Sequence, residues 1–291
     1  MMRVHSWVVA LVAAIFISSC QFGSKQNTKL FDKGDSQGVN NNKKLEEASG
    51  LIASINHPGY FWTHNDSGNP AQLFLLDNKA KTKRTYQLGS VVNRDWEDIS
   101  MGPGPESNVN YIYIGDIGDN LRKFPLKFIY RFPEPTEEQG EVIQQFDTLI
   151  VKLEDGIFDS EALMIDPVSG NLYLISKQQK EGGVYEIKAP FTADTLVAKR
   201  LFDIHYGHIN GGDISADGNE VLIKNYDDIL YWKKSDHESI ADLLKKEPTE
   251  LYYDREPQGE AIGWARDGSG FFTLGENAKG ERAKLYFYKR K

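Results

Sequence analysis

The chain has 291 residues, enough for one large all-β domain or two average domains, and its net charge is −8 at pH 7. It contains no long basic run, so nucleic acid and an anionic membrane surface are poor candidate partners. Its 14 Tyr, 15 Phe and 5 Trp favour strands with half-buried, pleated faces. The composition therefore favours an all-β domain with a partner that is neither nucleic acid nor a lipid surface.

The N-terminus resembles an export signal. An apolar run from Trp7 to Ile17 follows a basic start and is too short to span a bilayer as a helix. The residues Ile17-Ser18-Ser19-Cys20 resemble the bacterial lipobox, in which cleavage precedes the cysteine and its thiol receives a diacylglycerol. The alternative is an ordinary secretory signal that ends near a cysteine. We predict a lipoprotein signal peptide over residues 1–19, lipidation at Cys20, and an extracytoplasmic location in the bacterial cell envelope.

Residues 20–44 are mostly polar and predict a flexible tether, while residues 45–291 predict the folded domain. The domain repeats an acidic residue followed by a step into an apolar, strand-like run. The copies recur about every 50 residues, a period typical of propeller blades. They begin at Glu47, Glu97, Glu161, Asp213 and Glu260.

The intervals between copies contain four short apolar runs separated by turn residues such as Asp217-Gly218 and Asp267-Gly268. This pattern predicts an all-β propeller of five four-stranded blades. A sixth blade is the alternative, since residues 119–148 have room for an extra hairpin. The last copy holds only three strands, so we expect residues 29–32 to supply the missing outer strand. A helical insertion is predicted over residues 237–246.

In a propeller blade, the start of the first strand and the end of the second lie on the same face of the ring. The five repeated acids occupy the first of these positions. Neighbouring carboxylates ~6 Å apart would repel by roughly 3 kcal/mol at an effective dielectric of ~20, which favours a bound cation. The alternative is that each acid caps its own turn. Polar residues at the second position form a predicted rim: Asn65, Trp96, Asp116, Asp119, Asn120, Arg122, Lys177, Lys224, Asn225, Tyr226 and Glu276.

The donors offered at this face are almost all oxygen, which argues against zinc and for a hard ion. A flexible oxygen cage suits Ca²⁺ better than Mg²⁺. We therefore predict Ca²⁺, with Mg²⁺ or no ion as alternatives.

The strings EASGLIAS, FWTHNDSG, DWEDIS, YIGDIGDN, DSEALMIDP and QGEAIGW span most of the predicted domain. They resemble a group of bacterial secreted and lipid-anchored propellers similar to the SdiA-regulated lipoprotein family and the phytase-like esterase propellers. The Glu-Ala-Ser-Gly-Leu opening also resembles the five-bladed calcium-activated nucleotidases. That resemblance implies an axial Ca²⁺ held by Glu47, Glu97, Glu161, Asp213 and Glu260.

Three functions remain open from the sequence. The first is a monomeric binding protein whose rim holds a small molecule, a glycan or a peptide. The second is a metal-dependent phosphoester or carboxylester hydrolase in which His64 or Asp66 transfers a proton. The third is an envelope scaffold. No P-loop or HExxH motif occurs in the sequence.

Overall fold

The computed structural model describes residues 27–278 and 280–291. Within them the chain forms 21 strands and one short helix. The strands in chain order are β1 (Asp35–Val39), β2 (Ala48–Ala53), β3 (Tyr60–Asn65), β4 (Gln72–Asp77), β5 (Thr82–Leu88), β6 (Trp96–Pro103), β7 (Asn110–Asp116), β8 (Lys127–Pro133), β9 (Val142–Ile143), β10 (Asp147–Leu153), β11 (Ser160–Ile165), β12 (Leu172–Ser176), β13 (Gly182–Ile187), β14 (Leu196–Ile204), β15 (Gly211–Ile214), β16 (Glu220–Lys224), β17 (Ile229–Lys233), β18 (Thr249–Leu251), β19 (Gly259–Trp264), β20 (Gly270–Gly275) and β21 (Lys284–Lys289).

Antiparallel pairing groups these strands into five four-stranded units, which we call blades 1 to 5. Blade 1 is β2-β3-β4-β5, blade 2 is β6-β7-β8-β10, blade 3 is β11-β12-β13-β14, blade 4 is β15-β16-β17-β18 and blade 5 is β19-β20-β21-β1. The first strand of each blade contacts the first strands of both neighbouring blades, so these inner strands form a closed ring. The predicted all-β propeller is thereby confirmed as the fold class.

The burial of each strand follows its place in the blade. Strands β11, β12, β16 and β20 are buried along their whole length because other blades cover both of their faces. Strand β10, the outermost strand of blade 2, alternates between buried and more exposed residues. This difference explains why the inner strands read as continuous apolar runs in the sequence.

The N-terminal segment closes the ring. Strand β1 pairs antiparallel with β21 and completes blade 5. The outer strand expected around residues 29–32 therefore lies at residues 35–39. Residue Phe31 is instead a buried plug between blades 4 and 5, with its ring centroid 5.0 Å from that of Phe271. Part of the segment predicted as a tether thus belongs to the propeller, because β1 pairs with β21 and Phe31 fills an apolar gap between blades.

The long segment between β7 and β11 supplies β8 and β10 of blade 2 and also pairs with the two neighbouring blades. Strand β9 pairs parallel with β5 of blade 1, and β10 pairs parallel with β14 of blade 3. Residues 119–148 therefore supply β8 and β9 where an extra hairpin was the alternative. The predicted helical insertion is present as α1 (Ile240–Leu243), which Ser239 caps by accepting a hydrogen bond from Asp242 N.

Five apolar clusters hold the ring together, one at each interface between neighbouring blades. Each fully buried large apolar side chain contributes about 1.5–3 kcal/mol. Both Trp62 and Trp96 are fully buried between blades 1 and 2. In the described part of the chain, no helix has the length and apolar character needed to cross a membrane.

Candidate functional site: an acidic mouth on the ring axis

Three inner strands begin with an irregularity of register that places one extra residue opposite the partner strand. The extra residues are Glu97 in β6, Glu161 in β11 and Glu260 in β19. Such bulges redirect a side chain out of the normal strand alternation, and they often occur beside functional sites. Here they bring glutamates from blades 2, 3 and 5 to the same end of the ring.

Four further carboxylates join these glutamates. Residue Asp66 follows β3, Asp95 and Asp159 immediately precede β6 and β11, and Glu276 follows β20. The carboxylates fall into three groups whose ligand atoms lie within 4.8 Å of one another. We call the seven side chains the acidic mouth; the groups are Asp66-Glu260-Glu276, Asp66-Asp95-Glu97 and Glu97-Asp159-Glu161.

Residue Glu97 is at the centre of the acidic mouth. It is only 3 % exposed and belongs to two of the three groups. Among the described residues, none donates a hydrogen bond to its carboxylate. Burial raises the pKa of Glu97 well above its usual range, and the negative charges of Glu161, Asp66 and Asp95 raise it further.

A hydrogen-bonded chain crosses the mouth from blade 3 to blade 5. The ammonium of Lys177 donates to Glu161 Oε1 over 2.6 Å and to the Tyr226 hydroxyl over 3.3 Å. That hydroxyl in turn donates to Glu260 Oε1 over 2.7 Å. Burial alone would lower the pKa of Lys177, but the charge and hydrogen bond of Glu161 outweigh it and raise the pKa. The side of the mouth at Glu161 is therefore partly neutralised.

Other carboxyl groups of the mouth also resist ionisation. Burial raises the pKa of Asp66 to about 6, with smaller contributions from the charges of Glu260, Asp95 and Glu47. Burial and the neighbouring Glu260 raise the pKa of Glu276 to about 9. The free energy of the ionised mouth is thus high unless a cation or protons compensate the charge.

Three residues of the site were not predicted from the sequence. The acids Asp95 and Asp159 each stand two residues before a bulge glutamate, so the repeated Asp-x-Glu spacing was an available signal. Residue Gly118 follows β7 and donates its N–H to Asp95 O over 3.1 Å. A methyl group at Gly118 would collide with Glu97 Oε1 and with the Asp95 carboxylate, so only glycine allows this close approach.

Two of the five predicted metal ligands lie outside the mouth. Strand β15 has no bulge, and Asp213 lies two residues along it, where its carboxylate accepts a hydrogen bond from Trp264 N over 2.8 Å. Burial raises the pKa of Asp213 to about 7. Residue Glu47 is exposed at the edge of the mouth and accepts a hydrogen bond from Asn69 over 2.6 Å. Of the five ligands that the resemblance implies, the structure brings Glu97, Glu161 and Glu260 together in the mouth.

The two predicted catalytic residues, His64 and Asp66, lie in different parts of the structure. The ring of His64 is fully buried and packs edge-on against Trp96 at 5.5 Å between centroids. Burial lowers the pKa of His64 to about 4, only partly opposed by hydrogen bonds to backbone. This histidine is a neutral core residue, because the apolar interface between blades 1 and 2 encloses it. Residue Asp66 does lie in the mouth.

Most of the predicted rim has structural roles. The side chain of Asp119 accepts hydrogen bonds from Lys123 N and Phe124 N, and Asp116 pairs with Arg94. The buried Lys224 ammonium donates to the carbonyls of Asn225 and Gly259. Of the rim set, only Lys177, Tyr226 and Glu276 place their side chains in or against the mouth. The others line turns, the core or the outer surface: Asn65, Trp96, Asp116, Asp119, Asn120, Arg122, Lys224 and Asn225. Cys20 lies outside the described residues.

Comparisons with known proteins add little to this geometry. No protein-family model matches the chain, and no curated protein matches it. A solved structure described as the Dos1 propeller is similar at 12% sequence identity, covering 82% of this chain and 68% of that chain, with a TM-score of 0.38. Our assignment of the fold rests on the strand pairing described above.

Proposed function

We propose that the protein is an extracytoplasmic β-propeller binding protein whose acidic mouth holds a Ca²⁺ ion, which together with the polar residues around it binds a small ligand. The observation that carries the proposal is the carboxylate of Glu97, which is nearly enclosed, surrounded by other acids and without a hydrogen-bond donor in the described residues. A buried carboxylate is either protonated or paired with an opposite charge, and we propose that Ca²⁺ is that partner. A hydrolase is less well supported, since His64 is enclosed in the core.

The ion is expected at the side of the mouth that lacks a cation. The ammonium of Lys177 already pairs with Glu161, whereas no ammonium or guanidinium of the described residues pairs with Asp66, Asp95 or Glu97. These three carboxylates offer a hard, all-oxygen donor set of the kind that Ca²⁺ prefers. We therefore assign them as the main ligands.

Isothermal titration calorimetry tests this assignment. We expect Ca²⁺ to bind the wild-type chain more tightly than Mg²⁺, because the donors come from separate loops and strands rather than from a rigid octahedral cage. The variant Glu97→Gln should weaken Ca²⁺ binding at least tenfold, about 1.4 kcal/mol. The exposed Glu138→Gln is the matched control and should bind like the wild type. Undetectable Ca²⁺ binding by the wild type would refute the proposal.

The lipid anchor is a separate part of the proposal and rests on the lipobox-like residues before Cys20. We expect the Cys20→Ser variant to lose incorporation of radiolabelled lipid and to leave the membrane fraction. Fractionation of cells that express each form measures both effects. A wild-type chain that incorporates no lipid would contradict the anchor but would leave the proposed ion site intact.

A further inference from the structure

Two loops beside the mouth expose large apolar side chains. Loop 89–95 connects β5 to β6, and loop 117–126 connects β7 to β8. In them Val92 is 77% exposed and Leu121 is 72% exposed, with Phe124 and Leu126 also open to solvent. These four residues, which we call the apolar rim, are half of the eight large apolar side chains recorded as exposed in the described chain.

The apolar rim is held in place by polar contacts. The carboxylate of Asp119 accepts hydrogen bonds from Lys123 N at 2.8 Å and from Phe124 N at 2.7 Å. The guanidinium of Arg94 lies over the Phe124 ring at 4.4 Å and donates to Leu126 O over 3.2 Å. Both loops are thus fixed with their apolar side chains directed outward, an arrangement that costs free energy without a partner.

The same loops border the acidic mouth directly. The side chain of Asn93 donates to Asp66 O over 2.8 Å, and Asp119 N donates to Asp159 Oδ1 over 2.6 Å. Two basic side chains stand nearby: Lys177 in the mouth, and Arg122, whose guanidinium lies 5.3 Å from the centroid of the Phe158 ring. An ion in the mouth would add further positive charge at this point.

We infer that the ligand of this site is an amphipathic oxyanion: a carboxylate or phosphate head group that binds the ion and Lys177, with an apolar chain that packs on the apolar rim. The inference rests on the proposed function, because the head group needs the ion. A Ca²⁺ ion takes six to eight oxygens, so oxygens of the ligand's head group would fill the positions that the protein's own carboxylates leave open. The exposed side chains of the apolar rim favour a ligand that carries an apolar chain.

The test compares long and short probes with the Ca²⁺-saturated protein. Octyl phosphate is compared with methyl phosphate, and octanoate with acetate, all below their micelle and calcium-salt solubility limits. We expect each long-chain probe that binds to do so at least tenfold more tightly than its short-chain counterpart. The double variant Val92→Ser/Leu121→Ser should lose this preference while Ca²⁺ binds it unchanged. The matched control Val168→Ser/Val197→Ser alters exposed valines elsewhere and should keep the preference.

Each outcome is decisive. The head group that binds identifies the ligand as a carboxylate or a phosphate. Equal affinity for long and short probes in a protein that binds Ca²⁺ overturns this inference alone. Octylamine binding more tightly than octyl phosphate in the ion-free protein also overturns it, because the mouth would then receive an organic cation. A wild-type chain without Ca²⁺ binding overturns the proposed function and this inference together.

Discussion

Without divalent ions, the melting temperature of the protein should rise as the pH falls from 9 to 5. The cause is the set of mouth carboxyls whose pKa is raised in the folded chain: Glu97 and Glu161 well above their usual range, Asp66 to about 6 and Glu276 to about 9. Each is stabilising when protonated, and that stability is lost as the pH rises through its folded pKa. For Asp66 alone the full effect, reached only below about pH 4, is on the order of 3 kcal/mol, and about half of it appears by about pH 5.

The variant Glu97→Gln should reproduce part of this stabilisation at pH 8, because it removes one repelling charge from the mouth. At a hundredfold excess over Kd, Ca²⁺ should add about 2.7 kcal/mol to the free energy of unfolding of the wild type. The melting temperature of the wild type should therefore rise with Ca²⁺, and that of the variant should rise less. Thermal melts with Ca²⁺ and with chelator measure both effects, with Glu138→Gln as the control. If Glu97→Gln lowers stability equally with and without Ca²⁺, this carboxylate supports a turn and the ion site is wrong.

A chain that begins at Leu45 should fail to fold, whereas a chain that begins at Asn27 should melt like the full-length protein. The shorter chain lacks β1 and therefore leaves β21 as an open edge. It also lacks Phe31, whose removal opens a cavity between blades 4 and 5. Loss of a buried phenylalanine alone costs about 3–5 kcal/mol, a large part of the stability of an ordinary domain.

Solubility and circular dichroism of the two truncated chains measure this effect. The point variant Phe31→Ala separates the plug from the strand and should lower stability by about 3–5 kcal/mol. Its control is Phe124→Ala, since that ring is 39% exposed and leaves no enclosed cavity. A cooperative, unchanged melt of the chain that begins at Leu45 would show that the ring does not need the N-terminal strand.

The repeat was enough to predict the inner strands, since each acidic copy lies within an inner strand or directly before it, and these strands are largely buried. It was not enough to predict which acids meet. Glu97, Glu161 and Glu260 converge because each occupies a bulge, and a bulge depends on hydrogen-bond register that the local sequence does not specify. The Asp213 copy has the same appearance in the sequence but pairs without a bulge, so it lies further along its strand.

The neutral state of His64 and the contacts of the predicted tether could not be predicted either. A histidine at the end of a strand reads as polar, yet the side chain of Trp96 from the next blade encloses it. The residue Phe31 lies in a mostly polar segment, and only the ring of five blades creates the gap that it fills. Both depend on contacts between residues far apart in the chain.

Pairing β1 with β21 also determines the order in which the chain can be assembled. Strand β1 comes first among the strands of the propeller in chain order, and its partner β21 comes last. Strand β1 therefore cannot reach its final place until the last blade has been made, or has emerged on the far side of a membrane if the chain is exported. During that interval the newly made chain carries uncovered aromatic surface and unpaired strand edges, features that promote aggregation. The ring can thus close only after the last blade is present.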